Sequence, residues 1–162
     1  MAKITRIGYG QVEPNHLSAQ RTAQIYAQLP ANKDIKVLEN GMFAKYDYAK
    51  NEVNFTGEGE FMLVLNEVKL YDDLRQSYKD FAMKKEDYLN GEMVPRLFKT
   101  NIGDIFTTNM IDSSIEVDVE TKLTPNENGI LSTYTDEEMI WKVVKVYTMA
   151  DGQPAVKVQR IK

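Results

Sequence analysis

The sequence predicts a mainly β fold: an antiparallel β-barrel or sandwich with an extended N-terminal arm and a short helical excursion. Three observations carry that reading. Short runs rich in β-branched and aromatic residues recur from Ile35 to Ile161, separated by Asn-Gly, Gly-x-Gly and Asp-Gly breaks. Only 69–90 has helix-like spacing and helix formers. The first thirty residues follow neither pattern. The chain therefore divides into an arm, 1–33, and a β-rich domain, 34–162, and its 162 residues suffice for one core without staples.

In the arm, Ile4 to Glu13 has β-type residues, but Gly8 and Gly10 punctuate it and Pro14 ends it. From Leu17 to Pro30 the apolar positions Leu17, Ile25 and Leu29 fit a helix poorly, because Arg21 and Thr22 stand where an apolar residue belongs. A short helix from Ser18 and an extended arm both stay open. In the domain, Ile35–Glu39 and Met42–Tyr48 flank Asn40-Gly41, the residue pair that a type I′ hairpin turn needs. A second hairpin joins that strand to Glu52–Thr56. The apolar run from Phe61 to Leu65 predicts a central strand buried on both faces. Leu70, Leu74, Phe81 and Leu89 give the excursion one or two helical turns, closed by Asn90-Gly91.

Strands resume at Val94–Lys99, and Asn101–Asp104 makes a tight turn into Ile105–Met110. Ile115, Val117 and Val119 alternate with Glu116, Asp118 and Glu120, which predicts a strand with one apolar and one acidic face. Pro125–Gly129 is a loop. The chain ends in a hairpin of Ile140–Tyr147 and Ala155–Ile161 around Asp151-Gly152, with Trp141 and Val143 on one face and Lys142 on the other.

Composition excludes several chemistries. Cysteine is absent, so disulfides, thiolate zinc sites and cysteine nucleophiles are excluded, and a single histidine excludes two-histidine metal motifs. No Gly-x-Ser-x-Gly, GxGxxG or Walker loop occurs. Asp72-Asp73 and Glu137-Glu138 read as solvated loop pairs, and Asp136–Glu138 lacks the spacing of an EF-hand loop. The expectation is a protein with no catalytic residues, no metal and no cofactor. The apolar runs are far shorter than the ~20 residues of a spanning helix, and Met1–Gly10 has no apolar segment typical of a secretory signal, which predicts synthesis and retention in a cytosol.

Charge separates along the chain. Residues 1–33 hold four basic residues against Glu13, a net of +3, whereas 104–138 has nine acids against Lys122. A basic head on an acidic body is the asymmetry of interaction tails. The arm also holds more apolar residues than a free tail would, so Ile4, Arg6, Ile7, Tyr9, Val12, His16, Leu17, Arg21, Ile25 and Tyr26 are the candidate partner-binding residues. The competing reading is that the arm supplies the first strand of its own sheet.

Three stretches, Gly8–Ser18, Gly57–Phe61 and Lys99–Asn109, resemble segments of small virion structural proteins of tailed bacteriophages, the capsid-decorating or auxiliary head proteins. The resemblance implies synthesis in the host bacterial cytoplasm and a place on the capsid surface. It further implies binding to the major capsid protein or other virion proteins, as a homo-oligomer and without chemistry. A neck, connector or tail component is the nearest alternative. An oligonucleotide-binding β-barrel, with Tyr46, Tyr48 and Phe55 stacking bases, is the alternative of another class; the acidic body opposes it, since phosphate binding needs a basic groove.

Overall fold

A computed structural model describes residues 1–8, 10–13, 29–66, 82–84, 92–135 and 139–162, with 82–84 described by backbone alone. The described residues form antiparallel β-sheets and no helix. At the centre is a four-stranded sheet in the order β5 (Glu52–Asn54), β4 (Phe43–Asp47), β6 (Met62–Val64) and β8 (Leu97–Phe98). Its register explains the apolar run in the sequence. Phe43 lies opposite Leu63, and Leu63 opposite Phe98, so the three line one face. Ala44 lies opposite Met62 and Val64 opposite Leu97, on the other face. All seven are buried. A strand with no polar face needs cover on both sides, which is why Met62-Leu63-Val64 is continuous rather than alternating.

The first cover is a six-stranded antiparallel sheet. Its order is β12 (Leu131–Thr133), β11 (Lys122–Pro125), β13 (Trp141–Thr148), β14 (Pro154–Arg160), β9 (Ile105–Thr108) and β2 (Val12–Glu13). Phe106, Leu123, Trp141, Val143, Val156 and Val158 from this sheet share one core with Phe43, Leu63 and Phe98. Aromatic contacts stitch the layers: the Trp141 ring meets Phe106 edge-on at 4.9 Å and Phe43 at 5.7 Å between centroids. The C-terminal hairpin forms as the sequence predicts. Trp141 and Val143 point inward and Lys142 is half-exposed, with a bulge between Val143 and Lys145.

The second core, on the opposite face, gathers Ala44, Tyr46, Met62, Val64 and Leu97 under Ile35, Leu38, Met42, Met93 and Met110. Here the structure departs from the Asn40-Gly41 hairpin. The residues do make a turn, with the Met42 N–H donating to the Glu39 carbonyl at 3.2 Å. However, φ is positive at Gly41 (93°) and not at Asn40. That is the pattern of a type II turn, whose twist does not match paired strands, so the flanking segments part. β3 (Val37–Glu39) pairs instead with β7 (Ala82–Lys84), while β4 joins the central sheet. The same pairing corrects the helical excursion: 82–84 is a strand, and the other residues of 69–91 lie outside the described residues. The predicted acidic strand is also shorter. It is confined to β10 (Glu116–Val117), after which Asp118–Thr121 turns, Val119 is 50% exposed and Glu120 adopts φ 72°.

Trp141 is fully buried and its indole N–H has no acceptor. Trp141→Ala should cost about 3–5 kcal/mol in denaturant unfolding through the cavity left beside Phe43 and Phe106. Trp141→Phe should cost less than half as much, because the smaller ring also removes an unpaired buried donor. Equal losses for the two variants would contradict that account of the site.

Candidate functional site

The chain's N-terminal segment and the seat that receives it form a densely connected polar region. The segment crosses from the small sheet to the large one. β1 (Ala2–Lys3) pairs with β10, then Ile4 enters the first core at 1% exposure. Val12 and Glu13 close the edge of the large sheet against Thr108 and Thr107 of β9. Between these anchors the backbone lies close to the body. A Cβ on Gly10 would stand 2.6 Å from the Asn40 carbonyl oxygen and 2.6 Å from the Met110 sulfur, so glycine is required by approach rather than by flexibility.

Polar side chains complete the fastening. The Arg6 guanidinium forms an ion pair with Glu39, which is 8% exposed, and donates to the Met110 sulfur at 3.1 Å. Ile7 N–H donates to Gln153 Oε1 at 3.1 Å, and the same oxygen accepts from Asn109 Nδ2 at 3.0 Å. Gln11 N–H donates to Asn109 Oδ1 at 2.8 Å, and Gln11 Nε2 to Asp151 at 2.6 Å. Asp151 is held below the usual carboxylate range chiefly by the Gln153 side chain, then by the Gln153 backbone, with Gln11 adding a smaller effect.

Beside this segment runs an open groove of about 390 Å³, lined by Thr5, Arg6, Asn109, Met110, Asp112 and Asn128 among others. Its carboxylate is already engaged. Asp112 accepts from the Ser114 hydroxyl (2.7 Å) and backbone N–H (2.9 Å) and from Ser132 (3.0 Å), and these bonds lower its pKa, the Ser114 side chain most. The cluster ties the 112–114 turn to β12. No group of three or more metal-ligating side chains occurs among the described residues.

The candidate partner-binding residues separate by position. Ile4 faces its own chain's core and Val12 packs against it, Arg6 is ion-paired to the body, and Ile7 is 70% exposed. Tyr9, His16, Leu17, Arg21, Ile25 and Tyr26 lie outside the described residues. Of the aromatics considered for base stacking, Tyr46 is buried in the second core and Phe55 packs against it, leaving Tyr48, 59% exposed, with a face to solvent. Sequence reasoning missed the residues that form the seat. Glu39, Asn109, Met110 and Gln153 lie 33 to 146 positions from their partners in the segment, beyond any local pattern. The single available signal was Gly10, which reads as a break but serves a close approach. No protein-family model matches the chain, nor does any curated protein or solved structure.

Two outcomes follow. Ile4→Ala should cost about 2–5 kcal/mol in the unfolding free energy, because it empties a fully buried position; a loss below about 0.5 kcal/mol would mean that the segment is not seated in solution. Asp151 has a folded pKa below its ordinary value of 3.8, so its contribution is complete above that value and is lost as pH falls through the folded pKa. Wild-type stability should therefore fall more steeply than that of Asp151→Asn between about pH 5 and pH 3 in acid titrations followed by denaturant unfolding. Parallel slopes would refute the role of that carboxylate.

Proposed function

We propose that the protein is a structural component of a tailed-bacteriophage particle: a capsid decoration or auxiliary head protein that binds the major capsid protein lattice from outside and stabilises the shell. In this reading it is made in the host bacterial cytoplasm, acts as a homo-oligomer on the particle, and uses a β-sandwich as a rigid body for protein contacts rather than for catalysis. The observation that carries the reading is the resemblance of Gly8–Ser18, Gly57–Phe61 and Lys99–Asn109 to such proteins.

Those stretches are distant in sequence yet meet in the fold, which supports treating them as one inherited feature. Lys99 Nζ pairs with Glu60 at 3.3 Å, joining the second stretch to the third. Val12 lies opposite Thr108, and Gln11 N–H bonds to Asn109, joining the first to the third. Arg160 adds a clamp: its guanidinium pairs with Glu60 at 2.6 Å and donates to the Thr100 hydroxyl at 3.0 Å. Contact with the lattice then falls to the outward face of the segment at Ile7 and to Tyr9, His16, Leu17, Arg21, Ile25 and Tyr26.

Quantitative mass spectrometry of purified particles of the encoding phage is the test. The expected result is the chain at a fixed copy number relative to the major capsid protein, retained on empty shells after the tails are removed. Recovery with isolated tails or necks would overturn the capsid assignment. Absence from the particle would overturn the virion reading altogether.

A further inference from the structure

The outer face of the six-stranded sheet carries a concentration of lysines that the register makes unambiguous. Lys142 lies directly opposite Lys122, and Lys145 directly opposite Lys157. Lys142 also lies opposite Gln159, two positions from Lys157 on the same strand, so all four lysines share the face turned away from Trp141 and Val143. Lys122 and Lys145 are exposed, while Lys142 and Lys157 are half-buried. Like charges directly opposite one another destabilise a sheet, so two such pairs in adjoining strands are a cost to the isolated chain. Among the described residues no carboxylate pairs with Lys122, Lys145 or Lys157, and Glu13 is the acid that shares the face, two strands beyond Lys157.

An opposite patch adjoins it. The turn Asp118–Thr121 presents Asp118 and Glu120, with side chains 59% and 72% exposed, on either side of the exposed Val119. Asp118 reaches the N-terminal ammonium at 3.6 Å, and Glu120 reaches Lys142 at 3.3 Å, which fixes the turn beside the lysine face. Backbone bonds hold it there: Glu120 N–H donates to the Val143 carbonyl and Val143 N–H to the Thr121 carbonyl, each at 2.8 Å. A basic patch and an acidic patch side by side on one surface are self-complementary under a two-fold axis, because each copy offers what the other needs and both contacts form together.

We propose that the lysine face and the Asp118–Glu120 turn form a two-fold interface between two copies of the chain, with Lys122 and Lys145 of each copy facing Asp118 and Glu120 of the other. Val119 gives the contact an apolar centre. The interface goes beyond the virion reading and does not depend on it. Being built on exposed charges, it is sensitive to salt.

The test is sedimentation of the full-length chain. At about 50 mM salt the wild type should dimerise, and the dissociation constant should weaken about tenfold or more near 500 mM, where charges are screened over a few ångströms. A face variant, Lys122→Glu with Lys145→Glu, and a turn variant, Asp118→Lys with Glu120→Lys, should each be monomeric at low salt. Mixed in equal amounts, the two should form a heterodimer, since both contacts are then complementary again. Wild-type-like circular dichroism and melting of each variant establish that folding is intact; a variant that fails this check is replaced by its single substitution at Lys145 or Asp118. A wild type that stays monomeric at about 1 mM protein and low salt, folded variants that still dimerise, or a mixture that stays monomeric would each overturn the proposal.

Discussion

The constraint on which the structure depends is that the central strand β6 has no polar face. Leu63 points one way while Met62 and Val64 point the other, and all three are buried. Such a strand cannot lie at a surface, so it requires two covers at once. The two covers differ in kind. The six-stranded sheet supplies Trp141, Phe106 and the valines of β14, rigid shapes in a regular array. The other side is closed by turns and a short strand, and there four methionines, Met42, Met62, Met93 and Met110, do much of the filling. Unbranched, polarisable side chains suit an irregular cover, where branched residues would need a fixed lattice of neighbours.

What was legible in the sequence follows from what is local. The C-terminal hairpin was readable because alternation, a tight turn and antiparallel pairing between neighbours all act within 21 residues, Trp141 to Ile161. The buried central strand was readable because the lack of a polar face is visible in its own residues. Asn40-Gly41 misled because a turn signal specifies that the chain reverses, whereas the partner of each strand is decided by tertiary packing. Gly41 packs where a Cβ would lie 2.7 Å from the Thr108 hydroxyl, and Asn40 exchanges two hydrogen bonds with the backbone of Asn66. Both contacts come from distant chain and favour a turn that splays. Alternation from Ile115 to Glu120 misled for a related reason. Asp118 accepts from Val119 N–H at 2.8 Å, and its own N–H donates to the Thr121 hydroxyl at 2.9 Å, local bonds that stop a strand as it begins.

Charge was legible as a total and illegible as a pattern. A net of -4 and an acidic stretch argued against a basic surface. Yet the last 24 residues, 139–162, carry five basic residues against Asp151. Pairing places Lys122, from the acidic stretch, on the same face as three of them. Net charge sums over a chain, whereas a partner meets one face. Strand register is the step that converts the first into the second, and it cannot be read from composition.

The N-terminal segment shows how the two readings of the arm divide between its parts. A segment that buries Ile4 and threads Gly10 between Asn40 and Met110 is part of the core's closure, and releasing it would expose that core to water. Its polar bonds are of another kind. The amides of Gln11, Asn109 and Gln153 would exchange partners with water at little net cost, so they position the segment more than they hold it. Retention therefore rests on Ile4, the close Gly10 contact, the Arg6–Glu39 ion pair and four paired residues at the two edges. Among the described residues of this segment, Ile4 and Val12 are taken up by the chain's own core and edge, and Ile7 is the large apolar side chain between the two anchors that the seat leaves exposed.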